Sequence, residues 1–565
     1  MPIELLPVGI FYVGALLAAL GRDTAPWVAV ATPLAAAAAS FWLLAPGVAA
    51  DWSVMDYSLA AVRADGMSLA FVALFHVAAL ATAVYALEWN DRLQAAAMLG
   101  YIGSGVGAVL AGDLVTLWLF WEMLALTSVL LVWARGTAES TAAGIRYLVF
   151  NVLSGVILLA GIGALAVAGN DLMVGPQTLD SPGAWLLLIA FGVKAGFPML
   201  HSWIPDAYPK SSLVGSVILV AVTTKVGVYA LARTFAGEEL LLAIGTLTAL
   251  WPLYYVLVED DLRRVLAYSL MVQIGLMIAA VGAGNAIALD GVTLHVVMDV
   301  LFKLLLFMAL GAVFVRAGTV RASELGGLGK SMPWTMAFVA VGVLANAGMP
   351  GTGAFVSKKL LLGGLEHAGI AAPWYALLTG LSAVGLLYVG VRVLFEAFIA
   401  PARKPVQVSD ASWPMRIAMG GIALLLLATG LVPGLTDALR PFGSDYDPVK
   451  ATKILGQIQL LVFALLAYAL MARAGLSLPQ SGRRTLLDTE WIYRRLIPSI
   501  AIRVADALGG TSRALGAWIR LYDRQPGSGW VGASLGRSWP TGSMAFWTVT
   551  LLVVLLFAGV WKSQT

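Results

Sequence analysis

Cysteine is absent from this sequence, and charged and histidine side chains are scarce. A chain without thiolates forms no disulfides, and it cannot hold a metal or an iron–sulfur cluster through cysteine. Its histidines show no spacing typical of a metal site. We therefore expect no metal, no cofactor and no redox centre in this chain, and no nucleic acid among its partners. The histidines are His76, His201, His295 and His367.

Hydrophobic residues take the place of the missing charge. Of the 565 residues, 60% are hydrophobic and only 12% are charged, and the mean hydropathy is +0.88. A soluble domain of this composition would have too little polar surface to cover itself. The 60 glycines are typical of helices that pack closely inside a membrane. The composition predicts an all-α polytopic membrane protein.

Sixteen apolar stretches approach or exceed the ~20 residues that a helix needs to cross hydrocarbon. The lysines and arginines of the connections alternate between two sides, and the positive-inside rule then places both termini outside. We expect a multi-pass protein of the plasma membrane. The predicted spans lie near 3–20, 26–46, 67–88, 95–112, 113–134, 140–168, 182–203, 211–234, 238–258, 262–283, 286–316, 333–363, 373–400, 412–435, 452–473 and 541–561.

Residues 474–540 differ from the spans because they mix apolar and basic side chains. Ile492, Leu496 and Ile500 recur every four residues, with arginines between them. A basic amphipathic helix of this kind lies along a membrane surface or across neighbouring helices, and it is too polar to span the membrane. We expect 487–524 to lie on the cytoplasmic face.

Several ionisable residues lie inside the predicted spans. Lys194 is in the apolar run WLLLIAFGVKAGFPML, and Pro198 follows four residues later. A lysine at the bilayer centre costs about 2.5–3.5 kcal/mol, and a proline there frees a backbone carbonyl that lipid cannot satisfy. Both are tolerable where a broken helix lines a protected, partly wet interior. The pattern predicts an ion or proton path.

Glu122 and Lys225 are isolated charges in two other spans. Glu122 has no charged neighbour in sequence, so we expect it to pair with a lysine of another helix, most of all with Lys194. The alternative for Glu122 is a structural ion pair, and the alternative for Lys225 is snorkelling to the membrane surface.

His295, Asp299 and Lys303 follow one another at four-residue steps and share one face of one helix. Two interpretations of this row remain open. Asp299 and Lys303 could form a static ion pair, or the three side chains could form a hydrogen-bonded relay with the histidine.

A second helix break is predicted in the run NAGMPGTGAFVSKKLLLGG. Pro350 and Gly351 lie in its middle, and Lys358 follows. Discontinuous helices in the two halves of a transporter commonly form its binding or conduction site. The two breaks therefore indicate corresponding positions in two halves of one path.

Five motifs resemble the proton-conducting antiporter-like subunits of respiratory complex I, membrane-bound hydrogenases and Mrp-type cation/proton antiporters. The resemblance implies a fourteen-helix core with two inverted five-helix repeats, a broken helix in each. By this resemblance, Glu122 matches the glutamate of the fifth helix, Lys194 and Lys225 the lysines of the seventh and eighth, and Lys303 and Lys358 positions of the eleventh and twelfth. The motifs are LFWEMLALTSVLLV, FGVKAGFPMLHSWIPDAYP, DLRRVLAYSLMVQIG, HVVMDVLFKLLLFMALGAVF and MPGTGAFVSKKLL.

Two residues depart from the usual pattern of that superfamily. Many members have a histidine at the position of Gln273, and in this respect the chain is more similar to the D-type subunit of Mrp antiporters. Asp299 stands at a position where the superfamily usually has a second histidine. The resemblance implies protons and Na+ as the transported ions, with lipid and other integral-membrane subunits as partners. It also implies this division: 1–94 N-terminal helices, 95–234 and 238–400 the two repeats, 401–473 two further helices, 474–540 the amphipathic segment and 541–565 the last span.

Three functions fit this resemblance. The first is the proton-translocating subunit of a multisubunit Na+/proton antiporter. The second is a proton-pumping subunit of a redox enzyme such as complex I or a membrane hydrogenase. The third is the proton-conducting subunit of an inorganic-carbon uptake complex. A structural scaffold without conduction is disfavoured by the five buried charges.

Overall fold

A computed structural model describes residues 2–21, 23–54, 57–402, 408–474, 488–489, 491–497, 499–500 and 503. The expected last span at 541–561 lies outside these residues, as does most of the amphipathic segment 474–540. Across the described residues the chain is mostly helical, with a single short β-hairpin.

Helices follow the predicted spans closely. In the first part of the chain they are α1 Leu6–Leu20, α2 Ala25–Leu43, α3 Gly66–Tyr85, α4 Arg92–Leu110, α5 Leu114–Trp133, α6 Ala138–Val167, α7 Pro182–Ala195, α8 Trp203–Ala207, α9 Leu213–Ile218 and α10 Thr223–Thr234. In the second part they are α11 Leu240–Val258, α12 Leu262–Ala283, α13 Ala286–Ala317, α14 Pro333–Ala347, α15 Gly353–His367, α16 Ala372–Val389, α17 Trp413–Leu431, α18 Pro433–Asp437 and α19 Ala451–Arg473. Short 3₁₀ turns occupy Ile3–Leu5 and Leu328–Lys330, and π-helical turns occupy Gly390–Ile399 and Ile492–Leu496.

Thirteen helical stretches of the described residues are long and apolar enough to cross a membrane, by length and composition. They coincide with thirteen of the sixteen predicted spans. The predicted spans at 182–203 and 333–363 coincide instead with shorter apolar helices that are interrupted. The chain is therefore a multi-pass membrane protein.

Polar residues fix the ends of these apolar helices. A side-chain oxygen at the N-cap accepts a hydrogen bond from a backbone N–H of the first turn, which would otherwise be unsatisfied. Glycines in the left-handed conformation end several helices, because they lack the Cβ that disfavours this conformation. The N-caps of this kind are Asp65, Asp91, Asp113, Thr137, Ser181, Ser212, Asp261 and Asn285, and the glycines are Gly196, Gly284, Gly318 and Gly348.

An antiparallel hairpin was not predicted from the sequence. Its strands are β1 Ala49–Val54 and β2 Tyr57–Arg63, with Ala49 opposite Arg63. The Gly112 N–H donates to the Ala60 carbonyl at 3.0 Å, so the hairpin is hydrogen-bonded to the junction of α4 and α5. Its short apolar alternation is easily missed beside the long apolar runs of the spans.

The centre of the bundle is formed by α12 and α13, whereas α1, α2 and α19 are largely exposed on its outside. Close backbone packing holds α12 against α11. Gly245 and Gly275 face each other here, and a Cβ on either glycine would collide with backbone atoms of the other helix. Only glycine permits this approach.

Among the described residues, two helices are interrupted in mid-bundle at the breaks predicted from the sequence, and residues 219–222 separate α9 from α10 within a third span. The first, α7, ends at Ala195 with Gly196 at φ 82°, and Pro198 follows. Close behind it, Met199 has φ 71°, a conformation that is strained for a residue with a bulky side chain. The second interruption separates α14 from α15, with Gly348 at φ 71° and Gly351 at φ 92°.

Candidate functional site

The first interruption presents a fully buried lysine. Lys194 lies in the last turn of α7, and its Nζ donates to the Trp121 carbonyl of α5 at 2.8 Å. The same Nζ is 4.2 Å from the centroid of the Trp121 ring. The indole nitrogen of Trp121 donates in turn to Ser154 Oγ at 2.9 Å. One backbone carbonyl and one aromatic face therefore replace water around this lysine.

Glu122 lies beside this lysine and is 1% exposed. Its carboxylate is packed against Gly155 of α6, where a Cβ would collide with Oε1. Neither carboxylate oxygen has a hydrogen-bond partner in the part of the chain that the structure describes. The charge of Lys194 acts on the carboxylate. Glu122 and Lys194 therefore share no hydrogen bond or close ion pair in the described residues, and their pairing stays a prediction.

An ion pair joins the two halves of the bundle. Lys225 of α10 and Asp299 of α13 are both fully buried, and Lys225 Nζ is 2.6 Å from Asp299 Oδ2. The angles of this contact fall outside hydrogen-bond geometry, and within the described residues Asp299 Oδ1 has no hydrogen-bond partner. The attraction is therefore mainly that of two opposite charges at short range.

Of the two interpretations left open for this row, the static ion pair between Asp299 and Lys303 is not the arrangement that the structure has. Lys303 Nζ instead donates to Ser269 Oγ of α12 and, at 3.2 Å, to Asn346 Oδ1 of α14. Neutral acceptors on neighbouring helices therefore bind the Lys303 ammonium group. The Asp299 carboxylate forms its ion pair with Lys225 instead. Spacing along one helix could not reveal these partners, since all of them belong to other helices.

Hydrogen bonds link the side chains of the second half into one network. His295 Nε2 is 3.1 Å from Gln273 Oε1, and its Nδ1 is 2.8 Å from Ser357 Oγ. Gln273 Nε2 donates to Asn346 Oδ1 at 3.5 Å, and Asn346 Oδ1 also accepts from Lys303. His295 is therefore connected to Lys303 through two amides rather than directly along α13.

Lys358 reaches back across the second interruption. Its Nζ donates to the Asn346 carbonyl at 2.6 Å and to the Ser382 carbonyl of α16 at 2.9 Å. The Asn346 carbonyl is one of those that the end of α14 leaves without a helical partner. The interruption at Pro350 and Gly351 thus supplies the acceptor that holds Lys358.

Neutral polar residues are the part of the site that sequence analysis missed. The side chains of Asn346, Ser269 and Ser357 are buried and each bonds a titratable side chain, whereas Ser382 takes part through its backbone carbonyl. Their signal was present but weak, because single serines and asparagines are common in membrane helices as packing or glue residues. Asn346 was the easiest of them to identify from the sequence, because it lies shortly before the predicted break at Pro350 and Gly351.

A separate polar cluster involves the segment that was expected to lie on the membrane surface. Asp488 is 6% exposed. Its carboxylate is 3.3 Å from His201 Nε2 and accepts from Trp251 Nε1 at 3.3 Å and from the Tyr268 hydroxyl at 2.8 Å. Burial would raise the pKa of the Asp488 carboxyl, but His201 and the other donors lower it to about 2. This point of the segment is thus buried against the bundle, just beyond the first interruption.

A further charged cluster is centred on Asp206 of α8. Asp206 accepts from Arg146 at 2.7 and 3.1 Å and from Lys210 at 2.6 Å. Burial alone would raise the pKa of the Asp206 carboxyl, but Lys210 and Arg146 hold it well below its usual range. The cluster ties α8 and the connection that follows it to α6.

Chemically, the buried groups form an ordered series of proton donors and acceptors. Glu122 and Lys194 belong to the first half, Lys225 and Asp299 to its junction with the second. His295 lies within electrostatic reach of three lysines, Lys225, Lys303 and Lys358. A charge placed on any one of these groups changes the proton affinity of the others. Transfer of protons along such a series would depend on rearrangement of its side chains.

Residues 111–386 match the family described as NADH:quinone oxidoreductase/Mrp antiporter, transmembrane. The chain is 32% identical over 356 residues to the N-type subunit of NADH-quinone oxidoreductase from Desulforudis audaxviator, covering 58% of this chain and 70% of that protein. It is 28% identical over 312 residues to the D-type subunit of the Na(+)/H(+) antiporter from Bacillus subtilis, covering 52% and 63%. A chain in the Mrp complex from a Dietzia species has the same fold, with a TM-score of 0.75 and 22% identity over 92% of this chain and 61% of that one.

Proposed function

Because the chain belongs to the NADH:quinone oxidoreductase/Mrp antiporter family of membrane proteins, we propose that it translocates protons through its buried charged groups. The path would use Glu122, Lys194, Lys225, His295, Asp299, Lys303 and Lys358. The break at Pro350 and Gly351 would keep Lys358 close to a free backbone carbonyl of α14, and the break at Pro198 would end α7 next to Lys194.

One observation carries this proposal. Lys225 and Asp299 are 2.6 Å apart, both fully buried, on helices of different halves. Each buried charge is costly unless it is compensated, and a packed apolar pair would serve structure equally well. A charged pair at the junction of two rows of titratable groups supports transfer of protons from one row to the other.

In this proposal a proton taken up near Glu122 and Lys194 moves to Lys225 through water or side-chain motion. Protonation of Asp299 weakens its hold on Lys225, and the proton continues to His295. Gln273 and Asn346 then orient the hydrogen bonds between His295 and Lys303, and Lys358 is the last group of the row. The domain division 95–234 and 238–400 assigns one row to each repeat.

We assign the chain to a multisubunit Na+/proton antiporter of the plasma membrane, where it would be the D-type subunit. Its similarity to the D-type subunit of the Bacillus subtilis Na(+)/H(+) antiporter and Gln273 at the tenth-helix position support this assignment. Other integral-membrane subunits would cover its exposed helices, together with lipid. Both termini would lie outside, with 487–524 on the cytoplasmic face.

A redox-driven complex is the second candidate. It is supported by the 32% identity to the N-type subunit of NADH-quinone oxidoreductase over 70% of that protein. The proton path would be the same, but electron transfer elsewhere in the complex would drive it.

Everted vesicles that hold the whole complex test the proposal. Addition of Na+ to vesicles with an imposed pH gradient should dissipate the gradient without any redox substrate, and Lys225→Met should abolish the response. A response that requires NADH or another electron donor would favour the second candidate. Wild-type transport by Lys225→Met, at normal levels of the protein, would contradict proton translocation by this path.

Orientation has its own test. A cysteine at Arg494 should react with a membrane-impermeant thiol reagent from the cytoplasmic side only, and the absence of native cysteine removes background labelling of this chain. Labelling from outside would contradict the assigned topology.

A further inference from the structure

The largely exposed helix α19 buries one polar side chain in the bundle. Gln457 is 3% exposed, whereas Gln459, two residues away, is exposed. Gln457 Nε2 donates to the Ala347 carbonyl at 3.2 Å. Ala347 is the last residue of α14, directly before the second interruption.

Gln457 and Lys358 reach the same interruption from two sides. Lys358 bonds the Asn346 carbonyl, and Gln457 bonds the next one along the chain. A Cβ on the nearby Gly348 would lie 2.9 Å from Lys358 Cδ and 3.5 Å from Gln457 Nε2. The two side chains thus share the two carbonyls at the end of α14.

In this arrangement, each of the two carbonyls at the end of α14 has its own donor: Lys358 for Asn346 and Gln457 for Ala347. An unsatisfied carbonyl at membrane depth is costly, so each of the two needs a donor. With Gln457 in place, the partners of Lys358 among the described residues are the Asn346 and Ser382 carbonyls. Without Gln457, the Ala347 carbonyl becomes one more acceptor beside Lys358, and additional acceptors change the balance between a charged and a neutral amine.

We propose that Gln457 is a positioning residue that fixes the second helix interruption and limits the acceptors available to Lys358. The inference rests on the proposed function in one respect, that Lys358 belongs to the proton path. It gives α19 a role in transport that neither its apolar composition nor its exposed surface indicates.

The test compares two isosteric changes in the intact complex in everted vesicles. Gln457→Met removes the donor and keeps the length of the side chain, and Gln459→Met makes the same change on the exposed face of the same helix. We expect Gln457→Met to change the shape of the pH profile of transport and Gln459→Met to leave it as in the wild type. A profile for Gln457→Met that matches the wild type, or is scaled by one factor at every pH, overturns the proposal.

Gln457→Glu provides a second readout that does not depend on packing. A protonated carboxyl can donate to the Ala347 carbonyl, and an ionised one cannot. This variant should transport like the wild type at low pH and depart from it at high pH, where the ionised carboxylate cannot donate to the Ala347 carbonyl and adds a negative charge close to Lys358. If Gln457→Met does not accumulate, Gln457→Glu decides the question, and a pH profile identical to that of the wild type overturns the proposal.

Lys358→Ala separates this inference from the proposed function. Wild-type transport by Lys358→Ala would contradict the proton path in the second half. Loss of transport in Lys358→Ala together with an unchanged profile in both Gln457 variants would leave the path standing and overturn only the role of Gln457.

Discussion

The two halves of the bundle hold their buried lysines by different means. In the first half, a single carbonyl and a tryptophan ring surround Lys194, and Glu122 has no hydrogen-bond partner among the described residues. In the second half, amides and hydroxyls connect Lys303 and His295, and two carbonyls hold Lys358. In the first half, each buried charge therefore has few partners. In the second half, several neutral groups together stabilise the buried charges.

Removal of Lys194 should have the largest effect. No other basic side chain of the described residues is placed to replace it, so Lys194→Ala should reduce cation-dependent transport in everted vesicles to background. Lys330→Ala removes a lysine on the surface and serves as the control. Substantial transport by Lys194→Ala would show that the first half, like the second, has alternative carriers.

Breaking the junction between the halves comes next. Asp299→Asn leaves Lys225 buried without its counter-charge, a loss worth about 3–5 kcal/mol for buried pairs in general. Transport should fall strongly, and Asp299→Glu should retain part of it. Asp299→His restores a base at this position and should conduct with an altered pH profile. Unchanged pH and cation dependence in both Asp299→Asn and Asp299→His would reduce the pair to a structural contact.

Loss of one network amide should have a smaller effect. Asn346→Leu removes an acceptor shared by Lys303 and Gln273, and an unsatisfied buried group costs about 1–3 kcal/mol. Because Lys303 keeps Ser269 as a partner, we expect transport to fall by about tenfold, which corresponds to ~1.4 kcal/mol. A loss of transport as complete as that of Lys194→Ala would contradict the idea that several groups together stabilise Lys303.

The smallest effect is expected outside the path. Asp206→Asn removes the partner of Arg146 and Lys210, and should lower the stability of the detergent-solubilised protein by about 1–2 kcal/mol, since these partners are partly exposed. Because the pKa of Asp206 is held low, its contribution is present above about pH 4 and lost as the pH falls further. Thermal unfolding at pH 7 measures the change, with the exposed Asp180→Asn as control. Equal unfolding temperatures for the two variants would contradict the prediction.

Sequence reasoning located the charges but misjudged their partners. Lys194 and Lys358 could be identified because a charge in an apolar run and a nearby proline or glycine are both rare. The partner of Asp299 could not be identified, because it depends on how α10 and α13 pack. Lys303 was nearer to Asp299 in the sequence and was therefore the more obvious candidate. The hairpin 49–63 and the burial of Asp488 were missed for a similar reason: tertiary contacts, rather than local pattern, determine both.

The contact between Gly245 and Gly275 also limits how the molecule can move. Helices that meet backbone to backbone have no side-chain layer between them that could repack, so sliding or rotation of α11 against α12 would bring main-chain atoms into collision. We expect α11 and α12 to move as one rigid body during transport. Motion during a transport cycle would then be concentrated in rotamers, in water and at the two interrupted helices.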